Sequence, residues 1–307
     1  MVTAIEVHGL TKRYGQTVAV DDVSFQVERG SVFAFVGTNG AGKSTTIACL
    51  TTLLGFEAGE VTVLGHDVRR EGDEVRRGIG VVFQESIMDP LLSVRENLRV
   101  RGAFYRSAPE AVDARITELG ELIGLSHLLT RRYGRISGGE RRRADIARAL
   151  LASPSVIFLD EPTAGLDPAG RASVWSTIRT LRERHGLTVF LTTHYLEETE
   201  EADQVCMIDR GRIVAAGTPA ELRARYSSSV LSVTTTDLPA LAALATAAGC
   251  SLTEEEPARI TVPDAHTAMR ILEQHGAKVV DFEFRHGTMD DVFLAVTASA
   301  DREEPRA

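Results

Sequence analysis

Two hydrophobic patterns alternate along the first two thirds of this chain. Short, continuously apolar runs are typical of buried strands, whereas apolar residues spaced three or four apart are typical of helices. Buried strands are predicted at Val32–Val36, Gly80–Gln84, Val156–Asp160 and Thr188–Thr192. Helices are predicted over Gly42–Leu54 and Ser173–His185. Strands that alternate with helices predict an α/β fold with a parallel sheet and right-handed crossover connections.

Two regions depart from this alternation. Before the first buried strand, the apolar runs Ile5–Val7 and Val23–Val27 predict a smaller antiparallel β subdomain. From about Ser93 to Ala152 the helical period dominates, for example over Ala111–Ile123. This stretch predicts a helical subdomain, which we place at residues 86–152.

The pattern changes again at Tyr226–Ser229, where a run of serines marks a domain boundary. The elements predicted after it are strands at Val230–Thr234, Arg259–Val262 and Lys278–Phe284, and helices at Leu238–Ala248, Ala265–His275 and Asp290–Val296. That order predicts a small α+β domain of the ferredoxin-like type. The predicted domains are therefore residues 1–226 and 227–300. Residues 301–307 are charged, contain a proline and are predicted to form a disordered tail.

Composition restricts the classes of protein that fit. The chain has 307 residues and a net charge of −9, which argues against a general nucleic-acid binder. No apolar run approaches the ~18 residues of a membrane-spanning helix, so we do not expect the chain to form a channel by itself. The first residues lack the basic and apolar segments of a secretion signal, so secretion is not expected. The three cysteines lack CxxC spacing and are expected to be buried thiols.

Residues 37–45 read Gly-Thr-Asn-Gly-Ala-Gly-Lys-Ser-Thr and match a phosphate-binding P-loop between a strand and a helix. Glycines let successive backbone N–H groups turn toward the phosphates of a nucleotide, and the start of the helix adds partial positive charge. Lys43 supplies a full positive charge, and the Ser44 hydroxyl is a hard oxygen ligand for Mg²⁺. The predicted nucleotide contacts are Gly37, Asn39, Gly40, Ala41, Gly42, Lys43, Ser44 and Thr45.

A second candidate site follows a buried strand. The run Val-Ile-Phe-Leu ends in two carboxylates, Asp160 and Glu161. Asp160 at the strand tip suits direct or indirect binding of Mg²⁺. Glu161 can accept a proton from an attacking water or orient that water. The position of this pair downstream of a P-loop, in the same sheet pattern, favours a function over a solvated turn.

A third motif lies about twenty residues before that strand. Ser137, Gly138 and Gly139 precede a helix that begins near Glu140. A serine hydroxyl and glycine N–H groups at the start of a helix make a second anion site by the same physics as the P-loop. The three residues are therefore predicted to contact a nucleotide.

With these three motifs in one chain, residues 3–225 resemble the ATP-binding subunit of an ABC transporter. The resemblance implies ATP and Mg²⁺ as ligands, and it implies further site residues. Tyr14 resembles the aromatic residue that stacks on adenine, and Gln84 resembles the glutamine that contacts Mg²⁺ and the attacking water. Asp167, in Gly-Leu-Asp, resembles the loop that crosses the dimer interface. His194 resembles the histidine that contacts the γ-phosphate.

The signature motif departs from the commonest family pattern at one position. Glu140 stands where that pattern has glutamine, and three arginines follow it. A carboxylate near a triphosphate repels it unless the carboxylate faces those arginines. We therefore expect Ser137 and Gly139 to contact the nucleotide and Glu140 to be structural or interfacial.

Two looser matches narrow the resemblance. The segment Phe83–Leu98 resembles the docking region of drug- and lipid-exporting ATPases whose membrane subunits are encoded separately. The segment Gly287–Ala295 is similar to a C-terminal element of the daunorubicin- and doxorubicin-resistance type. The implied function is ATP hydrolysis that powers efflux of drugs or other hydrophobic compounds through a membrane permease.

The resemblance also implies a working cycle. Two copies of the chain form a homodimer that sandwiches two ATP molecules, each bound by the P-loop of one copy and by Ser137 and Gly139 of the other. Hydrolysis with Glu161, Mg²⁺ and His194 then resets the dimer. The expected location is the cytoplasmic face of the membrane, where the permease holds the chain.

Three alternatives remain open. The chain could serve an ABC importer, with its C-terminal domain as a regulatory ligand sensor, or it could serve a lipid or polysaccharide exporter. A soluble ABC factor that acts on ribosomes or DNA is the third alternative. The acidic charge argues against that third alternative, as does the presence of a single P-loop unit.

Overall fold

The computed structural model describes residues 2–105 and 108–303. The chain divides into two compact units, Met1–Ala216 and Gly217–Ala307. The boundary predicted from the sequence lies ten residues later, at position 226. The helix Pro219–Tyr226 accounts for the difference, because it packs against the last helix of the chain, in the second unit.

The first unit contains ten strands and six α-helices in its described part. In chain order they are β1 (Thr3–Tyr14), β2 (Thr17–Glu28), β3 (Val32–Val36), α1 (Lys43–Leu50), β4 (Ala58–Val63), β5 (His66–Asp67), α2 (Gly72–Gly78), β6 (Ile79–Val82), α3 (Val94–Gly102), α4 (Pro109–Leu122), α5 (Gly138–Leu150), β7 (Val156–Asp160), α6 (Pro168–His185), β8 (Thr188–Thr193), β9 (Gln204–Asp209) and β10 (Arg212–Gly217).

The central sheet has the strand order β10-β9-β3-β8-β7-β6, and β9, β3, β8, β7 and β6 run parallel. Every residue of β3, β7 and β8 is buried. Strands buried on both faces need apolar side chains throughout, which explains why the continuous apolar runs predicted these strands correctly. The sequence analysis missed β9 and β10, which meet at a tight turn of two left-handed residues, Arg210 and Gly211.

A second sheet, in the order β2-β1-β4-β5, packs on the first through a shared core. The predicted antiparallel pair is confirmed, with Val7 opposite Phe25 and Ile5 opposite Val27. Phe25 stacks on Phe33 of the central sheet with their ring centroids 5.3 Å apart. This contact fixes the antiparallel subdomain over the strand that leads into the P-loop.

The helix that follows the P-loop is shorter than predicted. It ends at Leu50 rather than Leu54. Thr52 adopts a left-handed conformation with φ of 65°, which no helix can contain. The apolar spacing continues to Leu54 because these residues still pack on the core, and the pattern therefore hid the end of the helix.

The predicted helical subdomain contains α3, α4 and α5. Ser93 caps α3 by accepting a hydrogen bond from the Glu96 N–H, and the Glu96 side chain accepts one from Ser93 in return. In the described part of the chain, no helix is long and apolar enough to span a membrane.

The second unit contains α7 (Pro219–Tyr226), β11 (Ser229–Thr235), α8 (Leu238–Ala247), β12 (Ser251–Thr253), β13 (Ala258–Val262), α9 (Ala265–His275), β14 (Val279–Arg285) and α10 (Met289–Glu303). Its antiparallel sheet has the order β12-β13-β11-β14. The succession β-α-β-β-α-β is the predicted ferredoxin-like arrangement, with β12 as an additional short strand. Residues 301–303, predicted to be part of a disordered tail, are the last turn of α10, and residues 304–307 lie outside the described residues.

Candidate active site

The P-loop joins β3 to α1 and needs glycine for steric reasons. Gly42 has φ of 109°, and a Cβ atom there would lie 2.5 Å from the carbonyl oxygen of Ala19. A Cβ atom on Gly37 would lie 2.2 Å from the carbonyl oxygen of Ile208. Both ends of the loop therefore run against backbone of neighbouring strands, and only glycine permits that approach.

Lys43 is buried, and its ammonium group turns back into the loop. Its Nζ atom donates to the carbonyl oxygens of Gly37 at 2.8 Å and Thr38 at 3.1 Å. The same Nζ atom lies 3.5 Å from Oε1 of Glu161. The carboxylate that follows β7 therefore lies directly beside the P-loop lysine, as the parallel order of β3, β8 and β7 requires.

Glu161 is the point where the predicted catalytic residues meet. Its Oε2 atom lies 3.3 Å from Nδ1 of His194 and accepts a hydrogen bond from Nε2 of Gln84 at 3.4 Å. Three loops, after β6, β7 and β8, supply these side chains. Because parallel strands end at one edge of a sheet, residues far apart in sequence converge there.

The backbone of Glu161 is left-handed, with φ of 46°. Such a conformation costs about 1–3 kcal/mol for a residue other than glycine and persists only where its surroundings hold it. One of those restraints is the Thr192 hydroxyl, which accepts a hydrogen bond from the Glu161 N–H at 3.0 Å. The sequence analysis did not identify Thr192, because its partner lies on the neighbouring strand.

Asp160 and Ser44 form the candidate metal site. Oδ1 of Asp160 accepts hydrogen bonds from Oγ of Ser44 at 3.2 Å and from Oγ1 of Thr192 at 2.6 Å. Among the described residues, no group of three or more His, Cys, Asp or Glu side chains could hold a metal. Mg²⁺ commonly binds one or two carboxylates, a hydroxyl and substrate phosphates, so a single carboxylate beside a serine hydroxyl fits this ion.

His194 lies on a loop that a buried carboxylate secures. Oε2 of Glu198 accepts hydrogen bonds from the hydroxyls of Thr163 at 2.8 Å and Thr193 at 2.9 Å. Thr163 follows Glu161 by two residues, and Thr193 immediately precedes His194. Glu198 thus connects the two loops that carry the predicted catalytic side chains, and the sequence analysis did not identify it.

Ser137 caps the helix α5, and Glu140 completes the cap. Oγ of Ser137 accepts from the Glu140 N–H at 3.3 Å, and Oε2 of Glu140 accepts from the Ser137 N–H at 2.7 Å. These hydrogen bonds from Ser137 lower the pKa of Glu140 below its ordinary 4.5. The carboxylate at this position is therefore a structural cap, and the spacing Ser-x-x-Glu was the signal for it.

The signature motif and the loop at Asp167 share one cleft. Asp167 caps α6 by accepting from the Gly170 N–H at 2.8 Å. A Cβ atom on Gly139 would lie 3.0 Å from Cα of Gly170, so the first turns of α5 and α6 pack closely. The cleft, of about 490 Å³, is lined by residues that include Ser137, Gly138, Gly139, Leu166 and Asp167.

The structure thus places the predicted residues in two groups. One contains the P-loop, Gln84, Asp160, Glu161 and His194, and the other contains Ser137–Gly139 and Asp167. In residues 2–105 and 108–303, no hydrogen bond or ion pair joins the two groups directly. Tyr14 belongs to neither: its ring is 53 % exposed, with Nζ of Lys12 lying 5.5 Å from the ring centroid.

Comparison with known proteins decides the family. A family model described as ABC transporter matches residues 20–164, and a model of the C-terminal domain of DrrA1-3-like ATP-binding proteins matches residues 217–297. The daunorubicin resistance ATP-binding protein DrrA3 of Streptomyces coeruleorubidus is 40 % identical over 304 residues, which cover 96 % of each chain. This chain belongs to the ATP-binding proteins of ABC transporters.

Other relatives and solved structures agree. The doxorubicin resistance ATP-binding protein DrrA of Mycobacterium tuberculosis is 39 % identical and covers 96 % of this chain and 93 % of its own. Nod factor export ATP-binding protein I of Ralstonia nicotianae is 36 % identical, covering 95 % of this chain and 93 % of its own.

Among solved structures, a dimer of the cassette MJ0796 bound to ADP and Pi has a TM-score of 0.63 and 27 % identity. It covers 70 % of this ABC ATPase and 98 % of its own chain. The ADP conformation of the cassette MJ1267 has a TM-score of 0.65 and 29 % identity, covering 72 % and 93 %.

The predicted family, fold class and enzyme class are therefore confirmed: the chain is a nucleotide-binding ABC ATPase. ATP-binding subunits of this family work with membrane permeases.

Proposed function

We propose that this ABC ATPase powers the efflux of drugs or other hydrophobic compounds through a separately encoded membrane permease. The supporting comparison is the similarity to drug-resistance ATP-binding proteins over 96 % of the chain. The supporting geometry is the single carboxylate of Glu161, which Lys43, Gln84 and His194 approach from three other loops.

Glu161 is the residue to which we assign the catalytic proton transfer. Its carboxylate orients a water, and it takes the proton as the water oxygen bonds to the γ-phosphorus. The bond from that phosphorus to the bridging oxygen breaks, and ADP leaves. His194 is at hydrogen-bonding distance from Glu161 and contacts the γ-phosphate. Gln84 completes the polar surround of the water.

The remaining predicted residues bind the nucleotide. Residues 37–45 cradle the phosphates, and Lys43 adds its charge. The Tyr14 ring is exposed on one side and stacks on adenine. Mg²⁺, held by Ser44 and Asp160 with Gln84 nearby, supplies positive charge that neutralises the phosphate oxygens.

Ser137, Gly138, Gly139 and Asp167 are assigned to the nucleotide of a second copy. Three observations support this assignment: these residues line a separate cleft, they lie at the starts of two helices, and no direct hydrogen bond or ion pair joins them to the Glu161 group within the described chain. Helix starts attract anions. Two copies then enclose two ATP molecules in a homodimer, and the solved MJ0796 cassette is dimeric.

The permease holds the dimer at the cytoplasmic face of the membrane. Support for a docking surface comes from exposed apolar side chains of the helical subdomain, namely Ile87, Leu91, Val100, Phe104 and Tyr105. Exposed apolar residues concentrated in one region are typical of protein contacts. The segment 83–98 leads from Gln84 into this surface, so a docked permease lies close in sequence to the catalytic glutamine.

Transport in membrane vesicles tests the proposal. The chain is purified with the permease that accompanies it and reconstituted in vesicles with ATP and daunorubicin. We expect ATP-dependent accumulation of the drug with the wild type and none with Glu161→Gln. The exposed helix residue Glu183, changed to Gln, is the control and should transport normally. Stimulation of ATPase activity by lipids or polysaccharides, with no response to drugs, would instead support the second candidate, suggested by the Nod factor export relatives.

A further inference from the structure

The signature helix α5 carries a buried guanidinium group that the catalytic assignment does not use. Arg142 lies five residues after Ser137, and only 7 % of its surface is exposed. Its Nε atom donates to the carbonyl oxygen of Pro162 at 2.8 Å, and Nη1 donates to that of Phe83 at 2.6 Å. Its Nη2 atom donates to the carbonyl oxygens of Asp160 and Glu161, both at 2.7 Å.

These four carbonyl groups belong to the two segments that carry the catalytic side chains. Three of them span residues 160–162, and the fourth immediately precedes Gln84. The left-handed backbone of Glu161 is therefore held on both sides, since Thr192 accepts from its N–H and Arg142 donates to its C=O. A strained residue keeps its conformation only under such restraint.

The charge of Arg142 is directed at carbonyl groups and not at a carboxylate. Among residues 2–105 and 108–303, no carboxylate oxygen lies within 4.0 Å of its guanidinium. The nearest acid on the same helix face, Asp145, instead accepts from the hydroxyls of Ser86 at 2.6 Å and Tyr133 at 3.0 Å. A planar guanidinium has five N–H groups in a fixed fork, which a lysine ammonium cannot reproduce.

We propose that Arg142 is a positioning residue that ties the signature helix to Glu161 and Gln84 of the same chain. The inference deepens the proposed function and rests on it, because Ser137–Gly139 at the start of this helix bind the ATP of the second copy. Only five residues separate Ser137 from Arg142, so a shift of the signature loop on that ATP moves the hydrogen-bond donors that fix Glu161. Each nucleotide thereby influences the alignment of the other site.

The same helix offers a matched control. Arg148 is also buried, at 8 % exposure, and its Nη2 donates to the carbonyl oxygen of Val81 at 2.6 Å. It therefore supports the neighbouring strand in a similar way, but it makes no contact with residues 160–162. Replacing either arginine by methionine removes one buried cation and keeps most of the side-chain volume.

The test compares ATPase kinetics, stability and ATP-driven dimerisation of the full chain for the wild type, Arg142→Met, Arg142→Lys, Arg148→Met and Glu161→Gln. For Arg142→Met we expect kcat to fall about 100-fold, the loss that follows misplacement of a catalytic group by about 1 Å. The KM for ATP should stay within about threefold, since the contacts of the P-loop are intact. Arg142→Lys should recover only part of kcat. It also serves as the folded comparison if the methionine variant fails to fold.

For Arg148→Met we expect lower stability toward urea with kcat within about threefold of the wild type. Arg142→Met combined with Glu161→Gln should still dimerise with ATP, because the signature loop is unchanged. An Arg142→Met protein with wild-type kcat, or equal losses of kcat in both methionine variants, would overturn the inference alone. A wild type that fails to hydrolyse ATP would overturn the proposed function, and this inference with it.

Discussion

Nδ1 of His194 lies 3.3 Å from Oε2 of Glu161, although 33 positions separate the two residues in the chain. The strands β7 and β8 are parallel neighbours, with Asp160 opposite Thr192. The loops that follow them therefore start side by side. This register, more than any local contact, determines that a histidine and a glutamate can act on the same phosphate.

Glu161→Gln should abolish turnover and leave ATP binding intact. The amide has the size of the carboxylate but cannot take a proton, so kcat should fall by about 10²–10⁴-fold. Size-exclusion chromatography with ATP should show a stable dimer, because hydrolysis no longer opens it. Glu183→Gln serves as the control. Wild-type turnover by the Glu161 variant would mean that another group is the base.

Glu140 should stabilise the fold at neutral pH and lose this effect in acid. Hydrogen bonds from Ser137 lower its pKa below the ordinary 4.5. A lowered folded-state pKa contributes stability that is complete above the unfolded-state pKa and is lost as the pH falls through the folded-state value. Glutamine also completes a capping box, but it does not titrate. The difference in urea unfolding free energy between the wild type and Glu140→Gln should therefore shift against the wild type below about pH 4.5. A difference that stays constant from pH 7 to pH 3 would contradict this role.

Gly139→Ala should destabilise the protein more than Gly138→Ala. The new methyl group at Gly139 meets the backbone of Gly170 at 3.0 Å, whereas the methyl group at Gly138 meets Cδ2 of Leu166 at 3.0 Å. A leucine side chain can rotate away, but two packed helices must separate. Overpacking of this kind costs about 1–3 kcal/mol. Thermal unfolding should show the lower Tm for the Gly139 variant, and the reverse order would show that α5 and α6 do not constrain each other here.

Glu198→Ala should lower both stability and kcat. It leaves the buried hydroxyls of Thr163 and Thr193 without their acceptor, at a cost of about 1–3 kcal/mol for each unsatisfied group. The loops that carry Glu161 and His194 also lose their connection. Glu198→Gln keeps one acceptor oxygen and should restore most of kcat. If the alanine variant unfolds at lower urea concentration but keeps full kcat, Glu198 supports the fold without aligning the site.

Phe104→Ser should weaken the association with the permease and leave the chain's own ATPase activity unchanged. The Phe104 side chain is 77 % exposed, so its removal costs the isolated chain little. A permease that buries it would lose about 1.5–3 kcal/mol of binding free energy. Co-purification and permease-stimulated ATPase activity measure the effect. Leu53→Ser, an exposed apolar residue outside that surface, is the control and should behave as the wild type.

The sequence predicted the parts of this molecule whose causes are local. The run Val32–Val36 is apolar throughout because both faces of the strand are buried. The spacing of Gly37 and Gly42 is visible because each glycine satisfies a steric demand on its own backbone. Asp160 and Glu161 were predicted from the strand that precedes them.

The parts that could not be predicted depend on contacts between distant segments. Arg142 reads as one of three consecutive arginines, and only the fold shows that it alone of the three donates to four buried carbonyl groups. Thr192 and Glu198 read as ordinary polar residues near a histidine, and their partners lie 31 and 35 positions away. The strands β9 and β10 were missed because their alternation of partly buried residues resembles that of a loop.

The hydrogen bonds of Lys43 have a consequence for the energetics of ATP binding. The ammonium group already has two carbonyl oxygens and the Glu161 carboxylate around it. A triphosphate that recruits this cation therefore competes with partners from within the chain, and the affinity reflects only the difference between the two sets. The same exchange frees the Glu161 carboxylate for water when the substrate arrives. Binding and activation of the base are in this way a single event.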